Sequence, residues 1–461
     1  MLFTICELSR KIRDREISPV ELTHHCLQLI EKLNPALNAF ITVTAESALE
    51  RARLAEREIY RGTYLGPLHG IPIGFKDIID VAGVRTTGAS AQFKDRVPKE
   101  DAEVTRRLRC GGAIFLGKQN LHECAYGGSS IISFFGAVRN PWDVRRVSAG
   151  SSGGSAASVA AALSYAAVGT DTAGSVRLPA AYCGIVGLKP TFGRVSLRGV
   201  MPLSPSLDHV GPLTNSVFDA ALMLQVLSGK GSADPCAEKH TPSLVASFDQ
   251  LPTNLRIGVP REFFFDDLHP DIADATEKAI EVFRRFRANI RDVRLDVSTD
   301  RTLSGAEAYA YHQPFVQRSP ELYQPATLAR IEAGANVSGD DALRAGRELQ
   351  QNREAIAKIF DEVDVLLTPT VPIPPPLIAD LLQRPEDLRP QELIMLRNTR
   401  PFNVWGIPAI SIPCAFTKDG MPIGLQLAAA AWREDLLLQT AYAYEQATEW
   451  HKKMPSLAGI N

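Results

Sequence analysis

Small residues dominate the stretch that decides the fold, residues 148–184, which read SAGSSGGSAASVAAALSYAAVGTDTAGSVRLPAAYCG. Such a run is compatible with a flexible linker, with a closely packed helix, or with backbone amides that approach a ligand. Its alanine-rich middle, residues 156–167, predicts a closely packed helix. Two glycine loops that carry serines bracket this helix, at residues 150–155 and 171–175, and close packing alone does not explain them.

Helices and short apolar stretches alternate along the rest of the chain. Ser18, which precedes a proline, predicts the start of one helix, and residues 44–60 predict a second. Residues 71–75 predict a buried strand. Gly111 is predicted to end a helix that precedes a second buried strand. This alternation favours an α/β fold.

No internal repeat divides the chain. We therefore expect a single domain over residues 1–461, within which residues 240–390 are less regular and form a cap over the substrate pocket. Late strands are predicted by DVLLTPT, PAISIPC and MPIGLQLA, before a closing helix that begins near Glu434.

The composition excludes several classes of function. A formal net charge of −2 gives no basic footprint for nucleic acid or anionic lipid. The apolar start of the chain is too short for a signal sequence, and no run of about 18 apolar residues occurs. Seven scattered cysteines with no CxxC pair are typical of reduced thiols. We expect a cytoplasmic protein that binds neither nucleic acid nor membrane and holds no metal or cofactor.

Two familiar motifs fit the first glycine loop poorly. Residues 150–154 match G-x-S-x-G, which would make Ser152 a nucleophile at a strand-to-helix turn, but the preceding WDVRRVSA is not a buried strand. A phosphate-binding P-loop needs a lysine after its glycines, whereas Gly154 is followed by Ser155. Neither interpretation is favoured.

The second glycine loop has the composition of an oxyanion hole. Thr172, Ala173 and Gly174 precede Ser175, so several backbone N–H groups can point at one spot with little obstruction. The helix between the loops could bring the second loop back beside the first. A serine nucleophile also needs a base.

The neighbouring sequence offers no histidine as that base. None lies within residues 143–208, so His69, His122 and His209 are reachable only through the fold. Lysine becomes a base when burial disfavours its charged form. Lys76, which directly follows a predicted buried strand, is the best candidate.

Three blocks, in this order, resemble the core of the amidase signature family. They are GPLHGIPIGFKDIID at 66–80, AGSSGGSA at 149–156 and GTDTAGSVRLPAAYCGIVGLKPTFGRVS at 169–196. The resemblance implies a large mixed β-sheet flanked by helices on both faces, with irregular capping segments. It also implies an enzyme that hydrolyses the C–N bond of an amide, with carbamates and esters as further substrate classes.

The resemblance implies a Ser-Ser-Lys triad at the matching positions. Ser175 would attack the carbonyl and become acylated. Ser151, which would follow a cis peptide bond after Gly150, would relay the proton to a neutral Lys76. The same relay in reverse would protonate the leaving amine.

Supporting roles follow from the same resemblance. The oxyanion hole would be formed by the backbone amides of Thr172, Ala173, Gly174 and Ser175. The loops would be held by hydrogen bonds from the side chains of Ser152, Asp171 and Arg177. The family often has glycine where this chain has Ala149 and Ala173, and we expect catalysis to survive because alanine keeps its backbone N–H.

Two alternatives stay open. The A subunit of the tRNA-dependent glutamine amidotransferase shares the triad but hydrolyses glutamine and passes ammonia to a partner. That subunit calls for an acidic residue in the segment that reads MLRNTRPFNV here, residues 395–404, and this segment has none. The subunit also usually has a glutamate or asparagine after the serine pair, and this residue is missing from NLHECAYGGSSIISFFG. A non-catalytic protein that binds an anion or a partner is the second alternative, which Lys76 disfavours.

The expected substrate is a small uncharged amide or carbamate with an apolar group, and a homodimer is the expected assembly. Aromatic side chains are the candidates for an apolar pocket. They are Tyr126, Phe134, Phe135, Tyr309, Tyr311, Phe402 and Trp405.

Overall fold

A computed structural model describes residues 3–228, 244, 248 and 254–457. Its described residues form one sheet of eleven strands. In chain order these are β1 Phe40–Val43, β2 Pro72–Lys76, β3 Ile114–Gln119, β4 Ala166–Thr170, β5 Val186–Lys189, β6 Val210–Thr214, β7 Arg256–Val259, β8 Asn289–Asp292, β9 Val365–Pro369, β10 Ala409–Phe416 and β11 Pro422–Ala429.

The sheet is mixed. Its spatial order is β1-β3-β2-β4-β6-β5-β10-β11-β9-β7-β8. β2 lies between β3 and β4 and runs parallel to both, whereas β5, β6, β10 and β11 pair antiparallel with their neighbours. β2, β4, β5, β6, β9 and β11 are buried along their whole length, as expected for strands covered on both faces.

Helices accompany the sheet along the described chain. They are α1 Ile5–Arg13, α2 Pro19–Leu37, α3 Ala45–Tyr60, α4 Glu103–Cys110, α5 Gly153–Ala160, α6 Arg177–Cys183, α7 Val217–Leu227, α8 Arg261–Phe264, α9 Pro270–Arg285, α10 Thr302–Arg318, α11 Pro325–Ala333, α12 Gly339–Ala357, α13 Ile378–Gln383, α14 Pro385–Met395, α15 Pro401–Val404 and α16 Glu434–Gln446. The predicted α/β fold with a large mixed sheet is confirmed. None of the helices described here is both long and apolar enough to cross a bilayer.

Local sequence signals place several helix boundaries. Ser18 caps α2, because its hydroxyl accepts hydrogen bonds from Val20 N at 3.0 Å and Glu21 N at 3.4 Å. α4 ends at Gly111, as predicted. Buried Asp219 on α7 accepts from the amides of Ile5 and Cys6, and so ties the start of α1 to α7.

The helix predicted over residues 156–167 is shorter than expected. α5 ends at Ala160, and Ala162 adopts a left-handed φ of 60°. The amide of Leu163 then bonds to Ser158 O at 2.8 Å, which closes the helix end. The chain turns directly into β4, so the apolar residues after α5 form a central strand.

Residues 254–390 contain regular structure. They contribute β7, β8 and β9 to the sheet, and α10, α11 and α12 lie between β8 and β9 in the chain. The remainder of the predicted cap, residues 240–253, lies outside the described residues except for two positions. A capping function for residues 240–390 stays a prediction.

Candidate active site

Lys76 lies at the end of β2 and is fully buried. Its Nζ lies 2.7 Å from Ser151 Oγ and 2.7 Å from Thr170 Oγ1. Thr170 is the last residue of β4, and the carboxyl ends of parallel neighbours such as β2 and β4 meet at one edge of a sheet. Thr170 was not predicted from the sequence, because the residues up to 167 were expected to be helical and not to lead into a strand.

The environment of Lys76 favours the neutral amine. Burial lowers the pKa of Lys76 from 10.5 to about 7, against the opposing influence of the Asp208 and Asp171 charges. A large fraction of the side chain is therefore uncharged near neutral pH. An uncharged amine can accept a proton from the hydroxyl beside it.

A tight loop presents Ser151. The peptide bond between Gly150 and Ser151 is cis. The carbonyl oxygen of Ser151 accepts from His122 N at 3.1 Å and from Ser130 Oγ at 3.3 Å. A Cβ on Gly150 would lie 2.6 Å from Ser130 Oγ, so the loop has no room for a side chain at this position.

The two glycine loops contact each other. Ser152 N donates to the carbonyl oxygen of Ser175 at 3.3 Å, and Ser152 Oγ donates to Thr170 O at 3.1 Å. Ser152 thus joins the first loop to the end of β4 and to the second loop. Ser175 is only 5% exposed, and it lines a cavity together with Thr172 and Ala173.

The amides of the second loop are not equivalent. Gly174 N donates to Asp171 Oδ1 at 2.8 Å, so this amide is already engaged, which differs from its expected role in an oxyanion hole. The amides of Thr172, Ala173 and Ser175 have no acceptor among the described residues. These three remain available to a substrate oxygen.

A buried ion pair fixes the second loop from behind. Arg177 donates to both carboxylate oxygens of Asp171, with Nη2 to Oδ1 at 2.9 Å and Nε to Oδ2 at 3.0 Å, and both side chains are fully buried. Burial opposes the ionised carboxylate, but the Arg177 charge prevails and holds the pKa of Asp171 well below its usual range. Arg177 also donates to Gln426 Oε1 at 2.7 Å and to Asn403 Oδ1 at 2.7 Å. The pair therefore ties the loop to β11 and α15.

Two further contacts on the loop come from distant parts of the chain. Thr172 Oγ1 donates to Asp208 Oδ1 at 2.5 Å, and Thr399 Oγ1 donates to Ala173 O at 2.7 Å. Burial raises the pKa of Asp208 to about 6. Neither Asp208 nor Thr399 was predicted from the sequence, because no local pattern links them to the loop.

The histidines considered as bases are engaged elsewhere. His69 Nε2 lies 2.8 Å from Glu58 Oε2, and His209 Nδ1 lies 2.7 Å from Leu207 O. The ring of His122 contacts Ser129 Oγ at 3.4 Å. In the described part of the chain, none of these rings forms a hydrogen bond to the side chain of either candidate serine.

The cavity beside Ser175 is lined by small, apolar and basic side chains. It is lined by Ala125, Tyr126, Gly127, Thr172, Ala173, Ser175, Leu203, Arg301, Ser304, Arg389, Leu396 and Arg400. Of the seven aromatic candidates, Tyr126 alone lines it. Phe402 and Trp405 pack with Phe264 in a buried cluster, and Phe134 is 44% exposed. Three arginines, Arg301, Arg389 and Arg400, contribute to the wall beside apolar side chains such as Leu203 and Leu396.

Comparison with known proteins places the whole chain in one family. The family model described as Amidase matches residues 21–438. An amidase from Pseudomonas putida is 39% identical, with 99% of this chain and 98% of the relative covered. The A subunit of glutamyl-tRNA(Gln) amidotransferase from Geobacter sp. (strain M21) is 38% identical, with 98% and 99% covered.

A solved structure agrees with these sequence relatives. The structure of 6-aminohexanoate cyclic dimer hydrolase complexed with substrate superposes with a TM-score of 0.90 at 32% identity, and covers 100% of this chain and 99% of that one. The match therefore extends over the sheet and the site together. The chain belongs to the amidase signature family, and it is an enzyme that hydrolyses the C–N bond of amides.

Proposed function

We propose that Ser175 is the nucleophile of this amidase, that Ser151 relays its proton and that Lys76 is the base. The observation that carries the proposal is the 2.7 Å separation between Lys76 Nζ and Ser151 Oγ within a buried site. The contact between Ser152 N and Ser175 O supports it, because it brings the second loop beside the first.

Acylation and deacylation both use the proton relay from Ser175 through Ser151 to Lys76. Ser175 Oγ attacks the substrate carbonyl as its proton passes through Ser151 to Lys76, which gives a tetrahedral oxyanion. The C–N bond then breaks, and the leaving amine takes the proton from Lys76 through Ser151. A water molecule then attacks the acyl carbon and passes one proton through Ser151 to Lys76. The C–O bond to Ser175 breaks and releases the carboxylic acid, and Ser175 Oγ takes that proton back from Lys76 through Ser151.

The amides of Thr172, Ala173 and Ser175 form the proposed oxyanion hole. Their N–H groups have no acceptor among the described residues, so hydrogen bonds to the developing oxyanion replace none within the protein. A well-placed donor of this kind contributes about 3–4 kcal/mol at the transition state. Ser152, Asp171 and Arg177 are positioning residues, because each acts on the loops.

Labelling with a fluorophosphonate tests the nucleophile. The reagent should add once to the purified chain, as seen by intact mass, and peptide mapping should place the adduct on Ser175. Ser175→Ala should abolish labelling and amide hydrolysis. The matched control is Ser155→Ala, because Ser155 is also a buried serine and its hydroxyl has no partner in the described structure. Unchanged labelling of Ser175→Ala would remove Ser175 from the reaction.

The chain is proposed to act as a free-standing amidase. Its curated relatives include both an amidase and a component of an amidotransferase. The lining of the cavity beside Ser175 has no acidic residue within the described chain, so nothing there would hold the α-ammonium group of glutamine. Glu392, the acidic residue nearest to residues 395–404, is instead paired with Arg330 at 2.9 Å. Glutaminase activity that appears only with added partner proteins would favour the amidotransferase role instead.

Three further expectations, on the substrate range, the location and the assembly of the protein, belong to the same proposal. Carbamates share the planar carbonyl of amides, and they are proposed as secondary substrates. A cytoplasmic site of action is supported by the unpaired state of Cys6, Cys26, Cys110, Cys124, Cys183 and Cys414, while Cys236 lies outside the described residues. A single-domain homodimer stays the predicted assembly, and mass photometry measures it directly.

A further inference from the structure

Positive charge is concentrated in the cavity beside Ser175. Arg301, Arg389 and Arg400 all line this cavity. They come from different elements: Arg301 directly precedes α10, Arg389 lies on α14 and Arg400 directly precedes α15. The start of α10 adds its positive dipole end to the same region. No acidic side chain lines the cavity within the described residues.

Two of these arginines form no ion pair with a carboxylate in the part of the chain that the structure describes. The Arg301 guanidinium forms no hydrogen bond or ion pair with any residue that the structure describes. Arg400 is 5% exposed, and its Nη2 donates to the backbone oxygen of Asp300. Its Nε is buried without a partner in the described chain. Buried guanidinium groups normally satisfy their N–H donors, so this arrangement calls for an external acceptor.

The third arginine is only weakly neutralised. Arg389 Nη1 lies 3.7 Å from Glu392 Oε2. The same carboxylate oxygen lies 2.9 Å from Arg330 Nη2, so one carboxylate serves two arginines. The wall of the cavity therefore carries more positive than negative charge.

Burial and the proximity of like charges both lower the pKa values of arginines in this wall. Burial, together with the charges of Arg400 and Arg389, lowers the pKa of Arg301 to about 9. Burial and the Arg389 charge also lower the pKa of Arg400 to about 10, although the Asp300 charge opposes this shift. An anion placed among the three groups would relieve their repulsion and raise both pKa values.

We propose that Arg301, Arg389 and Arg400 bind a carboxylate group of the substrate, so that this enzyme hydrolyses small amides that also carry a carboxylate. The inference rests on the proposed function, because it takes Ser175 as the group that attacks the amide. Arginine suits this role, since its planar fork matches the two oxygens of a carboxylate. The lack of an acidic residue in the lining also excludes substrates with a neighbouring ammonium group. A substrate that carries a carboxylate departs from the sequence-based expectation of an uncharged amide or carbamate with an apolar group.

A binding experiment tests the site without any chemistry. Thermal unfolding of the full chain is measured with succinate or with its neutral diamide, succinamide, at constant ionic strength. Succinate should raise the Tm and succinamide should not. Arg301→Gln should remove the succinate shift, since Arg301 has no partner in the described protein whose loss would complicate the result.

The control is Arg384→Gln. Arg384 precedes α14 on the exposed surface, where it pairs with Asp387 at 2.9 Å. Its replacement should leave the succinate shift intact. Equal shifts from succinate and succinamide, or a succinate shift that survives in Arg301→Gln, would overturn the proposal.

Turnover separates this inference from the proposed function. Hydrolysis of glutaramate is compared with that of glutaramide, which lacks the carboxylate, and with that of L-glutamine, which adds an ammonium group. Glutaramate should have a higher kcat/KM than either by about 10- to 100-fold, the effect of one or two hydrogen bonds to a charged group. Arg301→Gln should remove this preference mainly through KM.

Failure of the carboxylate site and failure of the proposed catalytic mechanism would give different results. Efficient hydrolysis of glutaramide with no preference for glutaramate would refute the carboxylate site and leave the amidase mechanism standing. Failure of Ser175 to label, together with a succinate shift that depends on Arg301, would refute the mechanism and support the carboxylate site.

Discussion

Lys76 Nζ lies 2.7 Å from both Ser151 Oγ and Thr170 Oγ1, at the buried end of two parallel strands. If Thr170 accepts one N–H of a neutral amine, the lone pair of that amine can face Ser151. In that arrangement, the strand ends hold the amine in the orientation that the proposed base requires. Because the site is buried, the neutral form is also the form that it favours.

Activity should rise with pH through the titration of Lys76. Its pKa is lowered to about 7, so the amine is protonated and inactive well below pH 7 and neutral above it. The logarithm of kcat/KM for a substrate that does not titrate in this range should rise with unit slope and level off above about pH 7. Lys76→Ala should lower kcat by about 10²- to 10⁴-fold.

A surface lysine provides the control for this profile. Lys94 is exposed and pairs with Asp95, so Lys94→Ala should keep both the rate and the acid limb. An acid limb that persists unchanged in Lys76→Ala would assign the titration to another group.

Removal of the Arg177 charge should destabilise the fold. Arg177→Met leaves the carboxylate of Asp171 buried without its partner, and loss of one member of a buried pair costs about 3–5 kcal/mol. Denaturant unfolding measures this loss as a lower midpoint. The double variant Asp171→Asn, Arg177→Met should recover part of the stability, because no charge is then stranded.

An exposed ion pair provides the control for the buried pair of Arg177 and Asp171. Lys278 and Asp274 are 2.7 Å apart on the surface of α9, and Lys278→Met should change the free energy of unfolding by less than about 1 kcal/mol. If Arg177→Met were as mild as Lys278→Met, Arg177 would not be the group that stabilises the second loop.

Much of the fold could be predicted from the sequence, because its signals are local. The Ser18 cap, the break after α4 and the apolar strands each depend on neighbouring residues. Candidate groups for the chemistry were also visible, since Lys76, Ser151 and Ser175 lie in contiguous blocks. The shortened α5 was missed because alanine favours a helix, whereas tertiary packing draws the residues after it into β4.

The wall of the cavity could not be predicted in the same way. Thr399 reaches Ala173 across 226 positions of sequence, and no local pattern encodes such a contact. The same holds for Arg301 and Arg400, which are 99 positions apart in the sequence and line the same cavity only in the folded chain. Composition favours aromatic residues, whereas the folded chain places three arginines in the wall beside Tyr126, one of the aromatic candidates.

The contact between the second loop and Thr399 leads to a final prediction, at Gly174. This residue has φ +133°, and a Cβ built on it would lie 2.0 Å from Thr399 Oγ1 and 2.6 Å from Thr399 Cβ. Gly174→Ala must therefore move either the loop or the side chain that donates to Ala173 O. We expect a loss of about 1–3 kcal/mol in stability from backbone strain and a fall in kcat, because the amides of Ala173 and Ser175 would shift. Gly346→Ala is the control: its Cβ meets nothing within 4 Å in α12, and it should stabilise the helix by about 0.5–1 kcal/mol. Addition of Thr399→Gly to Gly174→Ala should restore part of the stability, because it removes the clash with the new Cβ. If Gly174→Ala alone kept wild-type kcat and stability, the loop would tolerate a side chain at this position and the prediction would be wrong.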